Sequence, residues 1–260
     1  LAVAREYADL CREHGVAAAR FVATSASRDA RNAADFVTGV RAAFGDLDVA
    51  PEVVPGEVEA RLSFVGATAG LRRLGIPGPY LVVDLGGGST EVVRGEDDVE
   101  AARSVDVGCV RLTERHLAAD PPTPEQETAA RADVAAALDD VEQAVDLTGL
   151  GAVVGLAGSV TTVTAHALGL SSYDPGAIHL ARLSAAEHRS AARDLLAMPR
   201  DRRAALPFMH PGRVDVIGAG ALVWDELLAR VTTRSPAAGV VTSEHDILDG
   251  LALQVAADLT

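Results

Sequence analysis

The chain has 260 residues, enough for a large core and at the border between one domain and two. Its 48% hydrophobic content marks it as globular, and no apolar run approaches the length of a membrane span. A formal charge of −14, with arginine and no lysine among its cations, repels a nucleic-acid backbone, so neither nucleic acid nor membrane is expected as a partner.

The absence of lysine also excludes a Walker-A lysine and a Schiff base. A helix opens the chain, with Val3, Tyr7, Leu10 and Cys11 on one face and Gly15 at its end. Residues 19–23 follow as a strand. Residues 24–32 form a polar turn into a second helix, whose buried face carries Phe36, Val40 and Phe44. Hydroxyls and Asp29 at such a turn serve a helix cap and a phosphate equally well. Residues 51–54 are a short strand. Pro55-Gly56 then turns into a helix carrying Glu57, Glu59 and Arg61, with Leu62, Phe64 and Val65 inward, running to Gly75. Glutamates in a first helical turn suit the positive end of the dipole and by themselves need no further role.

The breaker cluster Gly75-Ile-Pro-Gly-Pro79 leads to Tyr80-Leu-Val-Val-Asp84-Leu-Gly-Gly-Gly88-Ser-Thr-Glu91-Val-Val93. Its aliphatic flanks read as two buried strands joined by three glycines. Without Cβ atoms, Gly86, Gly87 and Gly88 can turn backbone N–H groups onto an anion, and Ser89 and Thr90 add hydroxyl donors. Asp84 and Glu91, at the mouth of this hairpin, are oxygen ligands for Mg²⁺ or another divalent cation that phosphate oxygens also contact.

Residues 99–107 read as the next strand, followed by a turn into a helix with Arg111 as a further candidate contact. Thr123 caps a long helix over 125–146 whose acids form a solvated face. A buried strand, Ala152–Leu156, feeds Ala157-Gly158-Ser159-Val-Thr161-Thr162 and another helix. Strand, glycine, hydroxyl and helix start suit a cap and a phosphate equally, which makes Gly158 and Ser159 candidates. Helices are expected over 185–198, 200–206 and 214–231, then a strand at Gly239–Thr242. The last helix starts near Asp246 and carries an apolar stripe among Ile247, Leu248, Leu251, Leu253 and Val255. Cys11 and Cys109 lie far apart and no secretory leader is visible, so a reduced, cytoplasmic setting is expected.

The segment DLGGGSTE at 84–91 resembles the second phosphate-binding loop of the acetate kinase and actin superfamily. In its spelling it is similar to the exopolyphosphatase/guanosine pentaphosphate phosphatase family. Three more motifs follow the family's order. Ala23, Thr24, Ser25, Ala26, Arg28, Ala30 and Asn32 resemble A-T-S-A-x-R-x-A-x-N. Glu59-Ala-Arg-Leu62 resembles the end of G-x-E-E-A-R-L, with Val58 in place of the first acid. Gly155 to Thr162 is the third. The resemblance implies an α/β fold of two ribonuclease-H-like, actin-like domains around a cleft, the first N-terminally truncated because its own phosphate loop is not seen. Domain I would comprise 1–57 plus 244–260, and domain II 58–243.

The resemblance further implies Glu59 as the catalytic acid, Asp84 and Glu91 as metal ligands, and Thr24, Ser25 and Arg28 as phosphate contacts beside the glycine turn. The implied reaction releases terminal orthophosphate from inorganic polyphosphate. The alternatives are a guanosine pentaphosphate 5′-phosphatase, a sugar or acetate kinase, and a non-catalytic polyphosphate- or nucleotide-binding protein. A homodimer is expected.

Overall fold

Val and Leu runs buried on both faces, at 80–85, 92–93, 152–156 and 240–241, build the centre of the molecule. The structure is a computed structural model and describes residues 1–258 apart from 25, 26, 28, 29, 48 and 50. A parallel pair, β1 (Val22–Ala23) and β2 (Glu52–Val53), stands apart from a six-stranded sheet. That sheet contains β3 (Tyr80–Leu85), β4 (Thr90–Gly95), β5 (Val99–Val105), β6 (Ala152–Leu156), β7 (Arg182–Leu183) and β8 (Gly239–Thr242). Its order is β5-β4-β3-β6-β8-β7, with β3 antiparallel to β4 and parallel to β6.

Helices α1 (Ala2–Glu13) and α2 (Ala33–Phe44) share a small core of Ala4, Ala8, Val40 and Phe44. Helix α3 (Gly56–Thr68) covers one face of the large sheet, where Ala60, Phe64 and Ala67 meet Tyr80, Val82 and Val93. The opposite face, carrying Leu81, Val83 and Leu85, is covered by α4 (Cys109–His116), α5 (Pro124–Ala144) and α6 (Ala157–Ala167). After the short α7 (Pro175–Ile178), helix α8 (Ala185–Ala197) joins that layer. Past α9 (Arg200–Ala204), α10 (Ile217–Arg234) completes it, and α11 (Ile247–Asp258) ends the described chain. Strand alternation therefore puts Asp84 and Glu91 on the α3 side.

Three expectations are corrected. Helix α1 buries Ala4 and Ala8 and leaves Tyr7 60% exposed, because two small residues let it approach α2 closely. In α3, Leu62 and Phe64 are buried as expected but Val65 points outward. That helix stops at Thr68, with a 3₁₀ turn at Leu71–Leu74 after Gly70 in the left-handed region. Helix α11 buries Leu251 and leaves Leu248 69% exposed, since it is held to α3 through backbone. A Cβ on Gly66 would lie 2.0 Å from the Asp246 carbonyl oxygen, and one on Gly250 2.0 Å from that of Leu62. Only glycine permits so close a crossing.

Candidate active site

The hairpin register sets Asp84 directly opposite Glu91, and Glu91 opposite Ser104 on β5. Facing residues of this kind have Cβ atoms about 5 Å apart. Helix α3 starts at Gly56, against Ser104, so its first turns lie over the two acids. Glu59 and Ser63 are four residues apart and share its inner face. Ser63 Oγ donates to Asp84 Oδ2 at 2.7 Å, and Ser104 Oγ donates to Glu91 Oε1 at 2.7 Å. Ser89 supplies another hydroxyl hydrogen bond to Glu91.

Glu91 is 2% exposed and Glu59 is also buried. Burial pushes the Asp84 carboxyl up to about 6, against the Ser63 hydrogen bond and with help from Asp246 and Glu59. Burial likewise pushes Glu91 up to about 7, against the hydroxyls of Ser104 and Ser89 and with help from Glu59 and Asp84. Four carboxylates thus act on one another here. Asp246, not singled out in the sequence, arrives from the far end of the chain. It caps α11 by accepting the Leu248 N–H at 2.8 Å, and burial raises its own carboxyl.

Among the described residues no group of three or more His, Cys, Asp or Glu is gathered closely enough to hold a metal. That argues against a closed site of the zinc type. The Asp84–Glu91 pair does suit Mg²⁺, which takes one or two carboxylates and fills its shell with water and phosphate oxygens.

The glycine turn is closed by Gly86 N–H donating to Ser89 O at 3.1 Å, so that amide is engaged within the turn. The carbonyls of Gly86, Gly87 and Gly88 point toward α4. They accept from Cys109 N–H, from Val110 and Arg111 N–H, and from Arg111 Nε at 2.7 Å respectively. Arg111 therefore braces the turn. The N–H groups of Gly87 and Gly88 donate to no acceptor among the described residues, which leaves them for a ligand. Thr90 donates to Val107 O at 2.6 Å, so its hydroxyl holds the hairpin to the chain just after β5 rather than facing an anion.

Beside the turn lies a cavity of about 290 Å³ bounded by Gly86, Gly87, Cys109, Gly158, Ser159 and Arg213. The strands β3 and β6 run parallel and adjacent, which brings their two glycine-containing ends together. Ala157, at the second end, has φ +64, a conformation costly for a residue with a Cβ and typical of strained functional turns. Ser159 is buried and hydrogen-bonds the Cys109 thiol, whose pKa burial raises.

Arg213 is a candidate site residue that sequence reasoning missed. It comes from the turn before α10, and its guanidinium lies flat on Gly158, where a Cβ would be 2.5 Å away. Its Nη1 donates to Thr162 Oγ1 at 3.2 Å, and no carboxylate pairs with it among the described residues. Thr24 lies apart from this cavity. It lines another, of about 410 Å³, with Phe44, Ile247 and Leu251. Ser25 and Arg28 fall outside the described residues. A larger cavity of about 590 Å³, near Thr68, Arg72 and Glu96, carries two acids, Glu96 and Asp97, that both pair with Arg72, and it does not include the 86–88 glycine turn.

The Ppx/GppA phosphatase family profile matches residues 1–255. Exopolyphosphatase 2 of Mycobacterium tuberculosis is 46% identical over 253 residues, covering 96% of this chain and 79% of that protein. A guanosine-5′-triphosphate,3′-diphosphate pyrophosphatase of Photobacterium profundum is 38% identical over 99 residues, which span 38% of this chain and 19% of that one. The crystal structure of an exopolyphosphatase-like protein superposes with a TM-score of 0.94 at 43% identity, over all of this chain and 84% of that one. With profile, sequence and fold agreeing over nearly its whole length, the chain belongs to the Ppx/GppA phosphatase family.

Proposed function

We propose that the protein is a cytoplasmic exopolyphosphatase that hydrolyses the terminal phosphoanhydride of inorganic polyphosphate and releases orthophosphate. The observation that carries this reading is the meeting of Glu59, Asp84 and Glu91 beside a glycine turn with free N–H groups. Asp84 and Glu91 hold Mg²⁺ or another divalent cation, which when bound neutralises charge on the terminal phosphoryl group. The amides of Gly87 and Gly88 bind its oxygens. Arg213, across the cavity and free of any acid partner among the described residues, takes the next phosphates, which leave as an anion. Glu59 orients the attacking water and accepts its proton as the new P–O bond forms and the bridging P–O bond breaks.

General-base help is worth about 10²–10⁴-fold, so Glu59→Gln should lower kcat by that factor with little change in KM. Phosphate release from polyphosphate, guanosine pentaphosphate and ATP checks both points. Near-wild-type turnover in the variant would remove Glu59 from the mechanism. Preference for guanosine pentaphosphate would favour the second reading, the 5′-phosphatase, which uses the same groups. The relative bearing that kind of name matches over only 38% of this chain, which favours polyphosphate. A homodimer is part of the proposal, and light scattering measures it.

A further inference from the structure

Arg213 is an unusual cation for this molecule. Most arginines whose side chains are described hold an acid, as Arg103 holds Asp140 and Arg203 holds Asp120. In a chain of net charge −14, a long flexible side chain without a carboxylate partner needs something to keep it from finding one. Its surroundings supply that. Gly158 gives a flat seat, Thr162 accepts from Nη1, and the ring of Tyr173 lies beneath the guanidinium with 5.8 Å to its centroid. None of these contacts cancels the charge.

The same tyrosine engages an acid. Its hydroxyl donates to Glu244 Oε1 at 2.7 Å and lies 2.9 Å from Thr161 Oγ1. Glu244 belongs to the segment between β8 and α11, seventy-one residues away in sequence from Tyr173. Tyr173 therefore touches Arg213 through its ring and its hydroxyl and Glu244 through its hydroxyl, and stands between two opposite charges.

We infer that Tyr173 is a positioning residue: it holds Arg213 toward the phosphate cavity and keeps Glu244 from pairing with it. The inference rests on the reading of Arg213 as a phosphate contact. Loss of the hydroxyl releases Glu244. The carboxylate then turns to the guanidinium, and polyphosphate must compete with an internal anion for the same donors. The effect falls on KM, because the reacting phosphoryl group, Glu59 and the glycine turn are untouched.

Steady-state kinetics on polyphosphate with four variants tests this. Arg213→Met should raise KM about 10- to 100-fold, the value of a charge-assisted hydrogen bond, with kcat within a few-fold. Tyr173→Phe, which keeps the ring, should raise KM about 3- to 10-fold. Glu244→Gln alone should leave KM within about twofold, and Tyr173→Phe/Glu244→Gln should return to that level, as expected of residues that act through one another. An unchanged KM in Tyr173→Phe, or a rise that Glu244→Gln fails to relieve, overturns the positioning role. An unchanged KM in Arg213→Met instead overturns the phosphate contact itself, so the two failures are told apart.

Discussion

Asp84 and Glu91 are carboxylates that burial keeps protonated unusually far up the pH scale, to about 6 and about 7. A carboxylate must lose its proton to hold a cation, so metal binding displaces protons and weakens in acid. Affinity for Mg²⁺ or Mn²⁺ should therefore climb as the pH rises from 5.5 to 8, most steeply near 6 to 7. Ser63→Ala and Ser104→Ala, which strip the hydroxyls that orient the two acids, should each weaken binding about 10- to 100-fold. Asp84→Asn and Glu91→Gln should weaken it further and flatten the pH dependence. Calorimetric titration with Mn²⁺ reads both effects; equal affinity at pH 5.5 and 8 would show that these acids are not the ligands. The residue types at 84–91 announce a polyanion site because few other arrangements need three glycines between two acids. Which groups within it remain free is not written there. Gly86 N–H and the Thr90 hydroxyl are taken by Ser89 and Val107 through closure of the hairpin and its contact with the chain after β5.

The strands β3, β4 and β6 are legible because unbroken aliphatic runs bounded by glycine have few other ways to be buried. The paths that bring Asp246 and Arg213 to them are not. Both depend on packing between elements distant in the chain, 51 residues for the Arg213–Thr162 contact and more for Asp246 on α3, and nothing local at either position differs from an ordinary helix start. For Asp246 the packing is the α3–α11 crossing, where Gly66 and Gly250 leave no room for a methyl group. Gly66→Ala or Gly250→Ala would drive a Cβ into a carbonyl 2.0 Å away, and backbone has to move. Each should cost about 1–3 kcal/mol of stability. Because Ser63 lies one turn from Gly66 on α3, the same shift should disturb the hydrogen bond to Asp84. A lower Tm together with weaker Mn²⁺ binding is expected; a lower Tm with metal affinity intact would mean that the crossing supports the fold alone. Helix α1 shows the opposite case, in which a visible stripe misleads. Val3, Tyr7 and Leu10 suggest the buried face, yet the packing selects Ala4 and Ala8, because close contact with Val40 and Phe44 needs small side chains more than large ones.

At the scale of the whole molecule, pH acts through groups that oppose one another. His188, on α8, is fully buried, accepts from Trp224 Nε1 at 3.3 Å and has no partner for Nε2 among the described residues. Burial pushes its pKa down to about 4. A depressed folded value means stability present above the unfolded value near 6.5 and lost as the pH falls through about 4. The loss amounts to about 3 kcal/mol. Asp84 and Glu91 have raised folded values, so without metal their contribution is present in acid and disappears as the pH rises through about 6 and about 7. In the metal-free protein the two effects partly cancel between pH 7 and pH 4.5. Asp225 stays outside that window: burial works against its charge, but hydrogen bonds from Arg189, Arg193 and Arg131 hold its carboxyl below the usual range. Urea unfolding in EDTA should therefore show a shallow pH profile for the wild type. Asp84→Asn/Glu91→Gln, which removes the acids' term, should uncover the full loss toward acid. Adding His188→Gln to that background should flatten the profile again, whatever its effect on stability at pH 7. A triple variant that keeps the steep acid limb would show that the loss originates elsewhere than at His188.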